Sequence, residues 1–339
     1  MRFQLQRGLT VVSSMAALLD ASAAMGQTGR DFYKDKTVTY IVATTAGGGY
    51  DLYGRLVSDF MQKYLPGSTF VVKNVPGAGH LVGANTIYAS KPDGLTIGTF
   101  NTGLLYSQLM GTEGVRFDLT KMSWIGKAGS DPRMLTVKAE LPIRSLTDLQ
   151  GFKEPLNFST SGIGSAAYVE TVLLSKALKL PADIKTGYNG FEDQMAMRRG
   201  EIHVAISSRS SWEPFVKAGN GRFIVQIGGR QSDVPQLIDQ VTDPSVKALI
   251  ALVQSQGDIS RLTAGPPGIP ADRLAALREA YREALHDPEL QAKAEKLERP
   301  VDPAFGEDVL AQIKAALNQS PETITLLKET MNAGKAKVQ

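Results

Sequence analysis

A largely apolar strand that runs directly into a glycine loop and then a helix limits the folds open to this chain. Residues 38–43 are rich in β-branched and apolar side chains, residues 45–49 read TAGGG, and apolar residues then recur at helical spacing over 52–64. A short apolar run bounded by a turn is typical of a buried strand. The pattern predicts a β-loop-α unit, with its loop beyond the carboxyl end of a parallel strand.

The same change of period recurs along the chain. Strands predicted at 69–73 and 95–100, with a helix at 81–89 between them, complete a β-α-β-α-β unit. A second strand, small-residue loop and helix lie within 156–178, and a short helix and a strand follow within 187–208. We therefore expect an α/β protein with two mostly parallel sheets, each flanked by helices.

The C-terminal third of the chain is helical in pattern. Leu274, Leu277, Tyr281 and Leu285 form one apolar stripe, and two further helical stretches continue to about Met331. A chain of 339 residues with 42% hydrophobic content is long enough for two domains with their own cores.

The N-terminus has the pattern of a secretory signal. Arg2 and Arg7 precede an apolar run at 9–19, and small residues place the cleavage site after Ala23 or after Gly26. The apolar run is far shorter than the ~20 residues that span a bilayer. The chain has no cysteine, which excludes a lipid anchor, a disulfide framework and a thiolate metal site. We expect residues 1–26 to be removed, leaving an exported mature chain without direct membrane insertion.

Charge and missing motifs exclude several functions. The formal net charge is +3 and there is no polybasic run, so we predict no nucleic-acid partner. The glycine loop lacks the lysine and hydroxyl of a Walker loop, and Leu52 stands where a dinucleotide fingerprint needs glycine or alanine. The three histidines have no metal-ligand spacing, and no Gly-x-Ser-x-Gly elbow occurs. The sequence predicts no cofactor, no metal and no catalytic residue.

Two loops can hold a carboxylate through the backbone. The first turn of a helix leaves N–H groups unpaired and carries a partial positive charge, and glycine lets an anion approach closely. Loops 45–49 and 161–165 each precede a predicted helix. The alternative is that Asp51 and Ser165 are ordinary helix caps and the glycines serve tight turns. Two such loops in an exported chain without a catalytic set favour ligand binding.

The mature chain resembles the receptors of the tripartite tricarboxylate transporter family, the periplasmic Bug or TctC-type solute-binding proteins. The resemblance is carried by VTYIVATTAGGGYDLYGRL, VVKNVPGAGHLVGANTIYASKPDGLTIGTF, TSGIGSAAYVET, GYNGFEDQMAMRRGEI and GPPGIPADRLAALREAYREALHDPEL. It implies a two-lobed, type II-like periplasmic binding protein with a ligand cleft between the lobes. Lobe 1 would comprise 28–130 and 255–339 and lobe 2 would comprise 131–254, with a hinge near Asp131 and Ser255.

The resemblance also implies the ligand-binding positions. They lie in the loops after the first and third predicted strands, in the small-residue loop of the second half, and at the Tyr-x-Gly that follows it. These positions are Thr44, Thr45, Ala46, Gly47, Gly48, Asp51, Asn101, Thr102, Gly103, Ser161, Gly162, Gly164, Ser165 and Tyr188. Arg209 follows a predicted strand and could meet a ligand carboxylate with two N–H groups, or could instead be a surface or hinge arginine. Trp212, Tyr50 and Tyr188 could stack on an aromatic ligand or pack in the core.

The function that the resemblance implies is solute reception, without enzymatic activity. A monomer in the periplasm would capture a small organic acid, a di- or tricarboxylate or an aromatic acid, by hinge closure and deliver it to the transporter's membrane subunits. Two alternatives stay open. One is an exported α/β hydrolase or lyase with a carboxylate pair, for which Asp51, Glu170 or Glu192 would be essential. The other is a binding protein that serves a sensor kinase.

Overall fold

A computed structural model describes residues 29–230 and 232–335, so the predicted signal segment lies outside the described residues. The strands in the described part are β1 (Thr37–Val42), β2 (Thr69–Asn74), β3 (Thr96–Thr99), β4 (Ser123–Lys127), β5 (Arg133–Lys138), β6 (Leu156–Ser159), β7 (Ala182–Lys185), β8 (Val204–Ser208), β9 (Gly221–Ile227), β10 (Leu262–Gly265) and β11 (Ala304–Phe305). They form two sheets, one in each lobe.

Helices cover both sheets. In chain order they are α1 (Gly49–Tyr64), α2 (Leu81–Tyr88), α3 (Gly103–Met110), α4 (Leu146–Gln150), α5 (Ala166–Ala177), α6 (Glu192–Arg199), α7 (Arg209–Lys217), α8 (Pro244–Asp258), α9 (Ala271–His286), α10 (Pro288–Lys296), α11 (Gly306–Leu317) and α12 (Pro321–Lys335). None of the described helices combines the length and apolarity needed to cross a bilayer.

The first sheet has the strand order β11-β4-β10-β3-β1-β2. β1 is parallel to β2 and to β3, with Tyr40 opposite Val72 and Ile97, which confirms the predicted β-α-β-α-β unit. The chain leaves β1 toward one neighbour and returns to the other, so a crevice opens between the loops that follow β1 and β3. The glycine loop and Asn101 lie at this crevice.

The second sheet repeats this arrangement in the order β7-β6-β8-β5-β9. β6 is parallel to β7 and to β8, so the loops that follow β6 and β8 lie at the corresponding crevice. Both sheets have a larger antiparallel share than the sequence pattern predicts, because β5 and β10 run antiparallel to their neighbours. Each of these strands enters its sheet from the other lobe and therefore runs away from the cleft.

β1 presents its two faces to two different cores. Val38, Tyr40 and Val42 are buried against α1 and α9, whereas Ile41 and Ala43 are buried with residues of α2, α3 and α11. A strand that is covered on both faces needs apolar residues at consecutive positions. This burial is the physical reason for the apolar run with which the chain's first unit begins.

The C-terminal helices contact both lobes. α9 confirms the predicted apolar stripe, with Leu277, Tyr281 and Leu285 fully buried in the first lobe. α11 packs against β4 of the first sheet. α12 instead packs on α5 of the second lobe, where Leu327 and Met331 are buried. The lobe boundaries stay a prediction, and α12 contacts α3 of the first lobe as well as α5 and α8 of the second.

Candidate ligand cleft

A cavity of about 400 Å³ lies where the carboxyl ends of the parallel strands of both sheets meet. Residues of both lobes line it. Of the positions predicted from sequence, it contains Thr44, Thr45, Gly48, Asn101, Ser161, Gly162 and Ser165. The cavity therefore brings together the loops after β1, β3 and β6, as the two-lobed prediction requires.

The glycine loop forms the first wall of the cleft. Gly47 has a φ of +86°, a left-handed conformation that favours glycine, and α1 begins at Gly49. A Cβ on Gly49 would lie 2.8 Å from Ser211 Oγ and 3.2 Å from the terminal nitrogens of Arg261. The missing side chain at Gly49 therefore lets the start of α1 approach both a second-lobe hydroxyl and an arginine.

Asp51 supports this loop from behind. Its carboxylate accepts hydrogen bonds from the Gly47 N–H at 2.9 Å, Arg55 Nε at 3.0 Å and Asn74 Nδ2 at 2.9 Å. Burial raises the pKa of the Asp51 carboxyl, but the hydrogen bonds from Arg55, Gly47 and Asn74 lower it by more. The side chain is thus an ionised brace for the glycine loop, and the structure does not bring it to the cavity wall.

The second wall is the start of α5. Ser165 is the N-cap residue, and its hydroxyl accepts the Tyr168 N–H at 3.2 Å, so the capping interpretation of Ser165 is correct. Ser165 also lines the cavity. Asn101 Oδ1, from the first lobe, accepts the Gly103 N–H at 2.8 Å and the Ala166 N–H at 3.1 Å. One side chain therefore connects the helix starts of both lobes.

Two arginines line the cleft that sequence reasoning did not identify, Arg133 and Arg261. Arg133 Nε is 2.5 Å from Oε2 of Glu170, which is fully buried. Burial raises the pKa of the Glu170 carboxyl to about 7, against the opposing effect of Arg133. A charged residue directly at the start of an apolar strand, as in RMLTV and SRLTA, was the available sequence signal.

Arg261 connects the two chain crossings. It lies just before β10, and its Nη2 pairs with Asp131, which lies between β4 and β5. Its guanidinium carbon lies 4.5 Å from the ring centroid of Tyr50 and 4.8 Å from that of Tyr53. Asp131 also accepts the Ser210 hydroxyl at 2.6 Å. The predicted hinge position Asp131 is therefore part of a buried ionic cluster.

Asp193 is the only acidic residue among the described residues that line the cleft. It lies in the first turn of α6, and its Oδ1 accepts the Gln194 N–H at 2.8 Å. Burial raises the pKa of the Asp193 carboxyl to about 7. Gln194 donates in turn to the Ser211 carbonyl at 2.8 Å, which fixes this wall to α7.

The remaining predicted positions lie outside the cavity. Arg209 has its Nε 2.7 Å from Glu213 and its Nη1 3.2 Å from Gln226, and it lines a separate cavity behind the crossings. α7 begins at this residue, so its side chain pairs one turn along its own helix. The others serve the loops that carry the cavity or pack beside them: Ala46, Gly47, Asp51, Thr102, Gly103, Gly164 and Tyr188.

The aromatic candidates and the catalytic alternative have separate outcomes. Trp212 lines the cleft but is only 1% exposed, and Tyr50 also lines it, beside Arg261.

Glu170 lies beneath Arg133, and Glu192 lines a different surface cavity. A carboxylate pair therefore does not face the cleft within 29–230 and 232–335. Over the same residues, no three His, Cys, Asp or Glu side chains are grouped as metal ligands.

Comparison with known sequences gives a family model and several relatives. A family model described as "Tripartite tricarboxylate transporter family receptor" matches residues 54–319. A UPF0065 protein of Bordetella pertussis is 25% identical, over 91% of this chain and 94% of that protein. A UPF0065 protein of Cupriavidus necator is 23% identical, over 85% of this chain and 86% of that protein.

Solved structures share the fold. The periplasmic binding protein BugD superposes with a TM-score of 0.72 at 19% identity, covering 88% of this chain and 98% of that one. MatC from Rhodopseudomonas palustris with bound malate has a TM-score of 0.68 at 20% identity, covering 87% and 98%. An R. palustris protein with adipate has a TM-score of 0.70 at 18% identity, covering 86% and 97%. At these identities the likeness shows the two-lobed fold.

Proposed function

Since the chain belongs to the tripartite tricarboxylate transporter receptor family, we propose that it binds a small organic carboxylate in the periplasm and delivers it to the membrane subunits of such a transporter. Proteins of this family and the structural neighbours are solute-binding proteins and not enzymes. For this particular chain we propose that the ligand is a carboxylate, that it is delivered to a transporter, and that the protein works in the periplasm.

The observation that carries the proposal is the convergence of two helix starts on one cavity. α1 begins at Gly49 and α5 begins behind Ser165, and both of these residues line the cleft. The free N–H groups and partial positive charge of a helix start stabilise a carboxylate without a dedicated cation. A cavity of about 400 Å³ suits a small molecule and not a polymer.

Closure of the two lobes around the ligand is the proposed mechanism. A ligand that touches both helix starts binds the closed form better than an open form, and this difference in affinity shifts the population toward closure. The chain passes between the lobes after β4 and again after α8, near the predicted hinge positions Asp131 and Ser255. The Asp131–Arg261 pair ties these two crossings together.

Small aliphatic acids are the first class to test. The MatC structure holds malate and the second R. palustris structure holds adipate. Both are acids of a size that the cavity of this chain can enclose. Aromatic acids form the second arm of the panel, because Trp212 and Tyr50 are part of the cavity wall.

The test combines identification of the co-purified ligand with calorimetry. The chain is purified without residues 1–26, extracted small molecules are identified by mass spectrometry, and the ligand-free protein is titrated with aliphatic and aromatic carboxylates. We expect at least one carboxylate to bind, and small-angle X-ray scattering to show a smaller radius of gyration with it. Turnover of an ester or glycoside, with no carboxylate bound, would overturn the proposal.

Delivery to a transporter needs its own experiment. The gene is deleted in its host, and uptake of the identified acid is measured with the transporter subunits intact. We expect uptake to be lost and to return with the full chain supplied in trans. Unchanged uptake, together with an altered transcriptional response to the acid, would support the sensor-kinase alternative instead.

A further inference from the structure

Two buried arginines lie on the side of the chain crossings, and one of them, Arg261, lines the cleft. Arg261, Arg299 and Asp131 are 3%, 4% and 2% exposed and lie together. Asp131 pairs with Arg261, whereas Arg299 donates to the carbonyls of Ser210 and Glu298. No carboxylate of the described residues lies within 4.0 Å of Arg299. Of these two buried guanidinium groups, only that of Arg261 has a carboxylate partner, Asp131.

Arg261 is the arginine of this group that reaches the cleft. It lines the cavity, and its terminal nitrogens lie 3.2 Å from the position that a Cβ on Gly49 would take. Its Nε is buried without a hydrogen-bond partner. The guanidinium therefore lies beside the first turn of α1, whose N–H groups favour the same ligand charge. This wall of the cleft is built for an anionic group.

The second lobe offers the opposite charge. Asp193 lines the same cavity, and no lysine or arginine nitrogen of the described residues lies within 4.0 Å of its carboxylate. Its Oδ1 accepts the N–H of the neighbouring Gln194 at 2.8 Å, and this contact supplies no cation. A Cβ on Gly48 would lie 3.4 Å from Gly190 Cα, so the loop before α6 touches the glycine loop. Asp193 thus faces the cleft close to the start of α1.

We propose that the cleft selects a zwitterionic ligand, a small carboxylate that also carries an ammonium group. The carboxylate would lie toward Arg261 and the first turn of α1, and the ammonium group toward Asp193. This inference rests on the proposed function and names its substrate class. The partly buried Asp193 carboxylate has no cation beside it, and a ligand ammonium group would supply one. A second ligand carboxylate placed there would instead meet a like charge.

Matched pairs of acids test the selectivity without any variant. Aspartate is compared with succinate, glutamate with glutarate, and alanine with propionate, and malate replaces the ammonium group by a hydroxyl. Calorimetry of the mature protein should show at least one pair in which the amino acid binds about tenfold more tightly or better, the effect of one charge-assisted hydrogen bond. Malate equal to aspartate would overturn the inference, because a hydroxyl would then suffice.

Two variants assign the selectivity to its residue. Asp193→Asn should remove most of the preference, lowering the affinity for the amino acid about tenfold while the acid without nitrogen changes less than about threefold. Glu192→Gln is the control, because it removes the same charge one residue earlier and keeps the oxygen that accepts the Asn189 N–H. An equal effect of both variants would mean that general electrostatics, and not Asp193, sets the preference.

The inference and the proposed function fail in different ways. If plain carboxylates bind as well as their amino counterparts, the charge assignment is wrong and the carboxylate receptor stands. If no carboxylate of either class binds to folded protein, the proposed function falls and the inference with it. Binding of amines that lack a carboxylate would leave Asp193 as a cation site and would contradict the role of Arg261.

Discussion

Asn101 of the first lobe accepts the N–H of Ala166, the first residue of helix α5 in the second lobe, at 3.1 Å. The same oxygen accepts the Gly103 N–H at 2.8 Å, at the start of α3. The two donors lie at the starts of helices in different lobes. The hydrogen bond between Asn101 and Ala166 therefore depends on how close the two lobes are to each other. It also occupies one of the N–H groups that would otherwise face the ligand.

We expect Asn101→Ala to weaken ligand binding about fivefold, since the closed form loses one hydrogen bond between the lobes and the open form loses none. Calorimetry measures the affinity, and X-ray scattering measures the open fraction. Asn85→Ala is the control, because Asn85 also makes two backbone hydrogen bonds but only within the first lobe. Equal losses for both variants would contradict the closing role of Asn101.

Gly49→Ala should weaken binding about tenfold with little loss of stability. The added Cβ would meet Ser211 and Arg261 across the cleft, whereas alanine itself is favourable within a helix. Binding is measured by calorimetry and stability by urea unfolding. Gly151→Ala, at the end of α4 and outside the cleft, should leave the affinity unchanged. An unaltered affinity of the Gly49 variant would show that the cleft has more room than the structure indicates.

Arg133→Met should destabilise the protein by about 3 kcal/mol at pH 8, because it leaves the buried Glu170 carboxylate without its cation. The loss should shrink as the pH falls below about 7, the pKa of Glu170 in the native protein, since the protonated acid no longer needs a partner. Urea unfolding of both proteins at pH 8 and at a pH below 7 checks this.

The matching control for Arg133 is Arg199→Met. Arg199 makes a comparable contact of 2.6 Å with Glu201, but both side chains are at least half exposed. An exposed pair contributes little, so this variant should lose much less stability than Arg133→Met at pH 8, and its small loss should not depend on pH. A loss at Arg133 that does not depend on pH would indicate lost packing and not an unpaired carboxylate.

The ligand-free protein should lose stability at Asp193 as the pH rises. The native pKa of about 7 lies above the ordinary value of 3.8, so the folded state holds a proton that the unfolded state has already released. The protonated Asp193 carboxyl contributes its full stabilisation below about pH 4, and this contribution is lost as the pH rises through 7. Asp193→Asn lacks it, so the variant should gain stability relative to the natural chain as the pH rises from 4 to 8, by at most about 4 kcal/mol.

Urea unfolding of both proteins over this range measures the difference, in which the other titrating groups cancel. A constant difference would mean that the Asp193 carboxyl is well solvated in the free protein. A zwitterionic ligand should reverse the trend, because its ammonium group stabilises the ionised carboxylate.

Local sequence pattern was sufficient to predict the strands, loops and helices that position the cleft. The strand, glycine loop and helix at 38–64, and the second such unit at 156–178, follow from apolar period and turn chemistry, which act over neighbouring residues. Loop residues such as Thr45, Gly48 and Ser165 therefore reach the cavity as predicted. Their place at the carboxyl end of a parallel strand depends only on the order of the elements.

Local sequence pattern could not show which partners the charged residues of the cleft would meet. Arg133 and Arg261 enter it because β5 and β10 arrive from the opposite lobe and run antiparallel, so the residues at their starts lie at the cleft. Arg209 leaves it because the first turn of α7 pairs that guanidinium with Glu213. Whether an arginine meets ligand, carboxylate or solvent is decided by groups from distant parts of the chain that burial brings within a few ångströms, and electrostatic energies depend on that distance and on exclusion of water.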